Sequence, residues 1–469
     1  MTTAHTPCCM GVVQFAAHLK NLMKHLNLLL LLALFPTVIH AGDRPNILYL
    51  LADDLGFADV GFQGCKDVPT PHLDSIAENG VRFTSGYVTA PACSPSRAGL
   101  LTGRYQTRFG HEFNHPMADL GPVGMPVDQK TMANWFREAG YTTAHIGKWH
   151  VGNPKLPEFA PNGRGFDLDV LMPGQNKLPP LIVWRNGKNE KADDSYVDLA
   201  MGREAAAYIN EHKTAPWYLY VAYLTPHVPL QTPPGSEEPF AAIADVKRRK
   251  NAVMISLLDE SVGRILKALR DSGQEERTLI VFHSDNGAPF GSGSNNTPLR
   301  GYKSTLCEGG IRMPFAMQWK GTLPAGRVED APILSLDILP TALAAANVTV
   351  PDDAKLDGVN LLPFLTGKAE APQRNLFWRY GEQYAVRQGD WKLVPTMEQV
   401  AKPPVCTTGL YNLATDLTET HDLSAEHPDK VKALKALWDE WNTQNVRPLW
   451  GGDTEDDTPQ VSATEPRKK

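Results

Sequence analysis

Side chains that offer oxygen ligands occur in two pairs, each placed after an apolar run. Asp53-Asp54 follow the run 47–52, and Asp285-Asn286 follow the run 279–283 and one serine. Side-chain oxygen donors without cysteine or histidine ligands favour a hard cation, calcium or magnesium. Adjacent carboxylates also repel each other unless positive charge lies between them. A capping turn would explain Asp53-Asp54 alone, but the second pair favours a metal site.

Cationic side chains follow other apolar runs or stand near predicted helix starts. They are Arg97, Lys148, His150, His227, Arg300 and Lys303. Taken singly, each could be a solvated or structural residue. Together with a metal, they would form an electropositive pocket that complements a doubly charged or sulfate-like group. His283 lies inside an apolar run, and we expect it to be a core histidine with satisfied hydrogen bonds.

Cys93 stands at the predicted start of a helix. Pro95 suits the first turn and Ser94 is a candidate N-cap, so Cys93 would lie where the helix dipole stabilises an anion. A thiolate nucleophile is one interpretation, although no Cys-His-Asn protease signature accompanies it. A small buried cysteine is the other.

Four apolar runs of strand length must position these side chains. They cover residues 47–52, 141–146, 217–224 and 279–283, with helical patterns over 131–139 and 253–269 between them. Near-continuous apolar runs are typical of strands buried on both faces of a mainly parallel sheet. The alternation predicts an α/β fold with a doubly wound sheet flanked by helices. Ligands bind such sheets beyond the carboxyl ends of the strands, where the polar residues above fall.

The pattern changes at about Arg374. Short runs over 376–380, 384–387 and 391–394 predict a small antiparallel sheet, followed by a helix around 428–442. We therefore predict a catalytic domain over 43–370 and a C-terminal subdomain over 371–450. Residues 451–469 are polar and are expected to form a disordered tail.

The N-terminal 41 residues predict export. Lys20 and Lys24 precede an apolar run over 26–39, the segment contains no acidic residue, and small residues follow. This pattern is typical of a secretory signal peptide. The run is shorter than the ~20 residues that span a bilayer, so no stable membrane insertion is expected after cleavage. An uncleaved anchor is the alternative.

Charge and cysteine content exclude other classes. The net charge of −6, from 46 basic and 52 acidic residues, and the lack of basic runs argue against nucleic-acid binding. Four cysteines lie beyond the signal segment, too few and too scattered for a disulfide scaffold. One pairing among Cys65, Cys307 and Cys406 is possible, and the spacing does not choose it.

Two long motifs resemble the signatures of the type I sulfatase family. The first is Cys93-Ser94-Pro95-Ser96-Arg97 with Leu101-Thr102-Gly103-Arg104, and the second runs from Gly140 to His150. The segments after the other apolar runs match too, and the resemblance covers residues 43–440. It implies an alkaline phosphatase-like fold. The stretch 104–112 is similar to arylsulfatase A-like and N-acetylgalactosamine-6-sulfatase-like enzymes.

The resemblance also implies a chemistry. A separate maturation enzyme would convert Cys93 to formylglycine, whose hydrate attacks sulfur in a sulfate ester, and sulfated carbohydrates are the expected substrates. Asp53, Asp54, Asp285, Asn286 and modified Cys93 would hold the metal, usually calcium, with magnesium as the alternative. Arg97, Lys148 and Lys303 would contact the sulfate, His227 would protonate the leaving alcohol, and His150 would help to expel sulfate. A phosphonate monoesterase or phosphodiesterase on the same fold, or an inactive carbohydrate-binding relative, are the alternatives.

Overall fold

A mixed sheet of eleven strands forms the centre of the fold. The computed structural model describes residues 1–2, 44–116, 121–172, 174–192, 194–397 and 406–451. The strands run in the order β10-β2-β9-β8-β1-β7-β3-β4-β5-β6, and β11 pairs with β2. They are β1 (Asn46–Asp53), β2 (Val81–Tyr87), β3 (Thr142–Gly147), β4 (Leu168–Leu171), β5 (Leu181–Arg185), β6 (Lys188–Ala192), β7 (Trp217–Pro226), β8 (Thr278–Ser284), β9 (Arg312–Gln318), β10 (Arg327–Glu329) and β11 (Ile333–Leu334).

Helices connect and cover these strands. They are α1 (Pro71–Glu78), α2 (Cys93–Thr102), α3 (Met132–Glu138), α4 (Val197–Glu211), α5 (Val246–Asp271), α6 (Glu308–Ile311), α7 (Ile338–Ala345), α8 (Leu362–Leu365) and α9 (Pro428–Asn442). Helix α3 begins at a capping box formed by Thr131 and Asn134. Helix α5 begins seven residues before the predicted start, because the Asp245 side chain accepts a hydrogen bond from Arg248 N.

The four apolar runs are the central strands. β8, β1, β7 and β3 are adjacent and parallel, so their carboxyl ends meet at one edge of the sheet. β9 runs antiparallel to both β8 and β2, which makes the sheet mixed. The predicted doubly wound α/β architecture is confirmed.

Both faces of β1 are buried, which explains its unbroken apolar sequence. Leu48, Leu50 and Ala52 lie in the core on one face, and Ile47 and Tyr49 lie in the core on the other. Successive side chains point to opposite faces of a strand. The strand is therefore fixed in register by two cores.

A separate antiparallel sheet follows, as predicted. It contains β12 (Asn375–Tyr380), β13 (Gln383–Gln388), β14 (Trp391–Met397) and β15 (Cys406–Asn412) in that order. The fourth strand was missed in the sequence, and α9 is confirmed. Trp378 of β12 and Trp438 of α9 share a third apolar cluster with Tyr87 of β2, so this sheet packs against the large one.

Several expectations fall at the margins of the described part. The predicted signal peptide and tail lie outside the described residues, except for residues 1–2 and 451. None of the described helices is both long and apolar enough to cross a membrane. Cys65, Cys93 and Cys307 are free thiols, and the side chain of Cys406 lies outside the described part.

Candidate active site

The carboxyl ends of the four central strands bring the predicted residues together. Asp53 ends β1, Asp285 follows β8, Lys148 follows β3 and His227 follows β7. The strands are parallel neighbours, so these side chains share one edge of the sheet. Cys93 and Arg97 reach the same point from the first two turns of α2.

The two adjacent aspartates have different partners. Asp53 Oδ2 accepts a hydrogen bond from Lys148 Nζ at 2.6 Å, and its Oδ1 lies 3.6 Å from Arg97 Nη2. Asp54 Oδ1 accepts from Asn286 Nδ2 at 2.7 Å and from Lys303 Nζ at 2.8 Å. Burial would raise both pKa values, but the surrounding cations hold the pKa of Asp53 well below its usual range and lower that of Asp54. Both carboxylates are therefore ionised.

Arg97 is fully buried and binds Asp285. Its Nε and Nη2 donate to Asp285 Oδ2 at 2.9 and 2.6 Å, and Nη1 donates to the Lys148 carbonyl at 3.3 Å. Burial raises the pKa of Asp285 to about 6, although Arg97 opposes the shift. Asp285 Oδ1 accepts the backbone N–H of Asp54 at 3.2 Å. The hydrogen bond between Asp54 N–H and Asp285 thus joins the ends of β1 and β8.

Cys93 is the first residue of α2, with Ala92 as N-cap. Ser94 is therefore not the N-cap that the sequence suggested, because its hydroxyl bonds His111 Nε2 at 2.6 Å instead. Lys303 Nζ lies 3.1 Å from Cys93 Sγ, and Asp53 Oδ1 lies 3.4 Å from it. Burial raises the pKa of the thiol, outweighing Lys148 and Lys303. The unmodified side chain is therefore a neutral thiol, which favours the interpretation as a buried cysteine over that as a thiolate nucleophile.

Two histidines flank the carboxylates. His227 Nε2 lies 3.6 Å from Asp54 Oδ2, and its Nδ1 lies 2.5 Å from the Val228 carbonyl. His150 has a left-handed backbone, with φ +53°, as does Asp54 with φ +64°. Such backbone strain in residues other than glycine clusters at functional sites. Burial lowers the pKa of His227, and burial and Lys148 hold that of His150 well below its usual range, so both rings are neutral.

Not every cationic residue that the sequence places near the pocket reaches it. Arg300 lies over the Tyr411 ring, 4.9 Å from its centroid, and 3.7 Å from Glu419, and so belongs to the contact with the C-terminal sheet. His283 is a core residue, as expected, with Nε2 2.6 Å from Tyr49 Oη and Nδ1 2.6 Å from the Ser284 carbonyl.

His115 is a neighbour of the site that the sequence analysis missed. Its ring centroid lies 5.1 Å from that of His150, and burial lowers its pKa. The one signal in the sequence was a second histidine four residues after His111, in a polar segment. Such spacing alone does not point to a site.

The donor set fits a divalent cation. One ligand atom each of Asp53, Asp54, Cys93 and His227 lies within 4.8 Å of the others. Asp54 Oδ2 and Asn286 Oδ1 are buried and accept no hydrogen bond from any described residue. Buried oxygens without partners are costly, and a hard cation would satisfy both. Asp285 differs from the others, because Arg97 already occupies one of its oxygens.

The charges of the pocket balance before any metal is added. The carboxylates of Asp53, Asp54 and Asp285 contact the cations of Arg97, Lys148 and Lys303. Their formal charges cancel and the neighbouring histidines are neutral. A divalent cation would therefore leave a net positive pocket, which suits an anionic substrate.

Comparison with known proteins gives the family. The "Sulfatase" family model matches residues 45–348, and the model "N-sulphoglucosamine sulphohydrolase, C-terminal" matches residues 302–446. The uncharacterized sulfatase YdeN of Escherichia coli (strain K12) is 31% identical, covering 88% of each chain. Human N-acetylgalactosamine-6-sulfatase is 34% identical, covering 73% of this chain and 69% of its own.

A solved structure agrees over the whole fold. Ps i-CgsB, crystallised in complex with k-i-k-neocarrahexaose, is 33% identical with a TM-score of 0.82, covering 88% of this chain and 96% of its own. The fold is thus the alkaline phosphatase-like fold of the sulfatases. With a family model over most of the catalytic sheet and relatives above 30% identity over most of its length, this chain belongs to the sulfatase family.

Proposed function

We propose that the chain hydrolyses sulfate esters at the pocket around Cys93. The observation that carries the proposal is the convergence of three carboxylates and three cations on one buried cysteine, at the strand ends of a sulfatase fold. Asp53, Asp54, Asn286 and modified Cys93 would hold calcium, with Asp285 as a further oxygen ligand. Once bound, the metal supplies Lewis acidity, and formylglycine at position 93 supplies the nucleophilic oxygen.

The three cations have different roles in binding the sulfate group. The side chains of Lys148 and Lys303 keep 8% and 16% of their surface exposed, so their ammonium groups can contact sulfate oxygens directly. Arg97 has no exposed surface. It fixes Asp285 and adds positive potential behind the reacting centre. This arrangement is preorganised, because buried partners already hold each cation in place.

The neutral histidines serve as proton carriers. His227 lies 3.6 Å from Asp54, whose negative charge favours the protonated ring. After it has taken up a proton from solvent, its imidazolium protonates the leaving alcohol oxygen. His150, three residues beyond the end of the neighbouring parallel strand β3, accepts a proton when sulfate departs. A histidine that is neutral before the reaction can accept a proton at neutral pH, and general acid–base groups of this kind contribute about 10²–10⁴-fold.

The substrate class is proposed to be a sulfated carbohydrate. One relative is named N-acetylgalactosamine-6-sulfatase, and the similar Ps i-CgsB was crystallised in complex with k-i-k-neocarrahexaose. The chain itself offers an aromatic rim: Phe290 is 80% exposed, and its ring lies 5.4 Å from that of Tyr302, the residue before Lys303. An exposed aromatic face beside a charged pocket suits the C–H face of a sugar ring.

Maturation and location complete the proposal. A formylglycine-generating enzyme converts Cys93, and the signal peptide over residues 1–41 directs export to the periplasm or the medium. The high pKa of the buried thiol supports the need for conversion, because the unmodified group is not a nucleophile at neutral pH.

Sulfate release from a panel of sulfated mono- and polysaccharides tests the activity. Cys93→Ala should abolish release, while Cys65→Ala, a cysteine outside the pocket, should keep it. Intact mass of the Cys93 peptide should fall by about 18 Da on conversion. A phosphate diester hydrolysed orders of magnitude faster than the sulfate ester of the same leaving group would favour a phosphodiesterase instead.

A further inference from the structure

The tip of the β12–β13 hairpin reaches from the C-terminal sheet to the active-site edge of the large sheet. Tyr380 pairs with Gln383 across the turn, and Gly381 takes a left-handed conformation, with φ +59°. The Gly381 N–H donates to Glu112 Oε1 at 2.9 Å, and Arg379 Nε donates to Glu112 Oε2 at 3.0 Å. The hairpin is therefore fixed to the segment that follows α2.

Gln383 makes two hydrogen bonds to the loop that carries Lys303. Its Nε2 donates to the Ser304 carbonyl at 2.9 Å, and its Oε1 accepts the Leu306 N–H at 3.2 Å. Both ends of one amide thus bind backbone groups two residues apart. This geometry holds the loop at two points and restricts its rotation.

Ser304 is under backbone strain at this place. Its φ is +69°, which is unfavourable for a residue other than glycine or asparagine. Its N–H donates to the Pro91 carbonyl at 2.8 Å, and the Lys303 N–H donates to the Ala288 carbonyl at 3.1 Å. The carbonyls of Pro91 and Ala288 therefore hold the loop at the N–H groups of residues 303 and 304. Gln383 holds it on the C-terminal side, at the Ser304 carbonyl and the Leu306 N–H.

We propose that Gln383 is a positioning residue for Lys303, so that the C-terminal sheet forms part of the active site. Lys303 Nζ lies 2.8 Å from Asp54 Oδ1 and 3.1 Å from Cys93 Sγ. Gln383 touches neither group. It acts through the backbone of residues 304–306, and the consequence for catalysis rests on the sulfatase activity proposed above.

The kinetic test compares the two glutamines of β13. Gln383→Ala should lower kcat for sulfate-ester hydrolysis about tenfold, because small misplacements of catalytic groups cost this much or more, with little change in KM. Gln388→Ala is the matched control: its Nε2 bonds Asn375 Oδ1 at 3.1 Å at the other end of the strand, and its kcat should stay within twofold. Wild-type kcat in Gln383→Ala would overturn the proposal.

A double-mutant cycle separates positioning from general stability. In a Lys303→Ala background, Gln383→Ala should cause no further loss, because its effect passes through the missing ammonium group. The same tenfold loss in both backgrounds would overturn the proposal. Gln383→Glu serves if the alanine variant does not fold: it keeps the acceptor for Leu306 N–H but cannot donate to the Ser304 carbonyl, and it should also lower kcat.

Hydrogen exchange tests the clamp without any activity. The amides of residues 304–306 should exchange faster in Gln383→Ala and at the wild-type rate in Gln388→Ala. Unchanged exchange in Gln383→Ala would refute the clamp itself. A wild-type protein that releases no sulfate, but whose loop exchanges faster in Gln383→Ala, would refute the proposed function and leave the clamp intact.

Discussion

Calcium should stabilise this protein, and Asp54→Asn should remove most of that effect. Asp54 Oδ2 and Asn286 Oδ1 are buried with no hydrogen-bond donor among the described residues, and a bound cation would satisfy them in the folded state. The asparagine substitution keeps the shape of the side chain. It removes the negative charge that the cation requires.

The size of the effect follows from linkage. Calcium at a hundred times its Kd adds about 2.7 kcal/mol to the free energy of unfolding. Unfolding the roughly 400 described residues releases an entropy of about 0.8 kcal/mol per kelvin, so Tm should rise by about 3 °C. If the substitution weakens calcium binding about a hundredfold, the same concentration adds only about 0.4 kcal/mol, and Tm should rise by about 0.5 °C.

Thermal unfolding of metal-stripped protein, with and without calcium, measures these shifts. Asp259→Asn is the matched control, because its buried carboxylate accepts the N–H groups of His72 and Leu73 at the start of α1, away from the site. It should keep the full calcium shift whatever its own Tm. A full shift in Asp54→Asn would refute the reasoning, since the cation would then bind elsewhere.

Three other perturbations have defined outcomes. Phe290→Ala should raise KM for a sulfated oligosaccharide about three- to tenfold and leave kcat within twofold. Val246→Ala, an exposed apolar control, should change neither constant. Equal KM values for Phe290→Ala and the wild type would exclude a role of the aromatic rim in substrate binding. Burial raises the pKa of Asp198 to about 7, so the free energy of unfolding should fall by up to about 4 kcal/mol as pH rises from about 4, the pKa of an aspartate in the unfolded chain, to 7. Chemical denaturation should therefore show Asp198→Asn becoming more stable relative to the wild type over that range. A difference in stability that does not change with pH would contradict the shift. Lys392→Met removes a buried cation from between two buried glutamates and should lower the free energy of unfolding, measured by chemical denaturation, by about 3–5 kcal/mol. Lys435→Met breaks an exposed ion pair and should lower it by less than about 1 kcal/mol. Equal losses in the two variants would argue against the buried network.

Local sequence could predict the core of the fold and the place of the site. Each central strand is an apolar run of strand length, because both of its faces are buried. Asp53 ends its strand, and Lys148, His227 and Asp285 directly follow theirs, so their positions at the sheet edge depend on only one or two backbone bonds. The weaker signals failed: β15 was missed, and α5 extends seven residues further at its N-terminus because a side-chain cap, not apolar periodicity, decides where it begins.

The partners within the site could not be predicted in the same way. Arg97 and Asp285 are 188 residues apart, and Lys303 and Asp54 are 249 apart. Nothing local distinguishes Arg300, which turns to Tyr411 and Glu419, from Lys303, which enters the pocket. Gln383 gave no signal, because its role depends on a second sheet packing beside the first.

The sequence by itself determined the family, the central strands and the set of reactive residues, since these depend on residue types in order along the chain. The tertiary structure decided which cation meets which carboxylate, and that Cys93 is a buried neutral thiol with no thiolate character. Charge–charge contacts and burial depend on distances between segments far apart in sequence. Only the packed sheet edge, with the C-terminal hairpin beside it, fixes those distances.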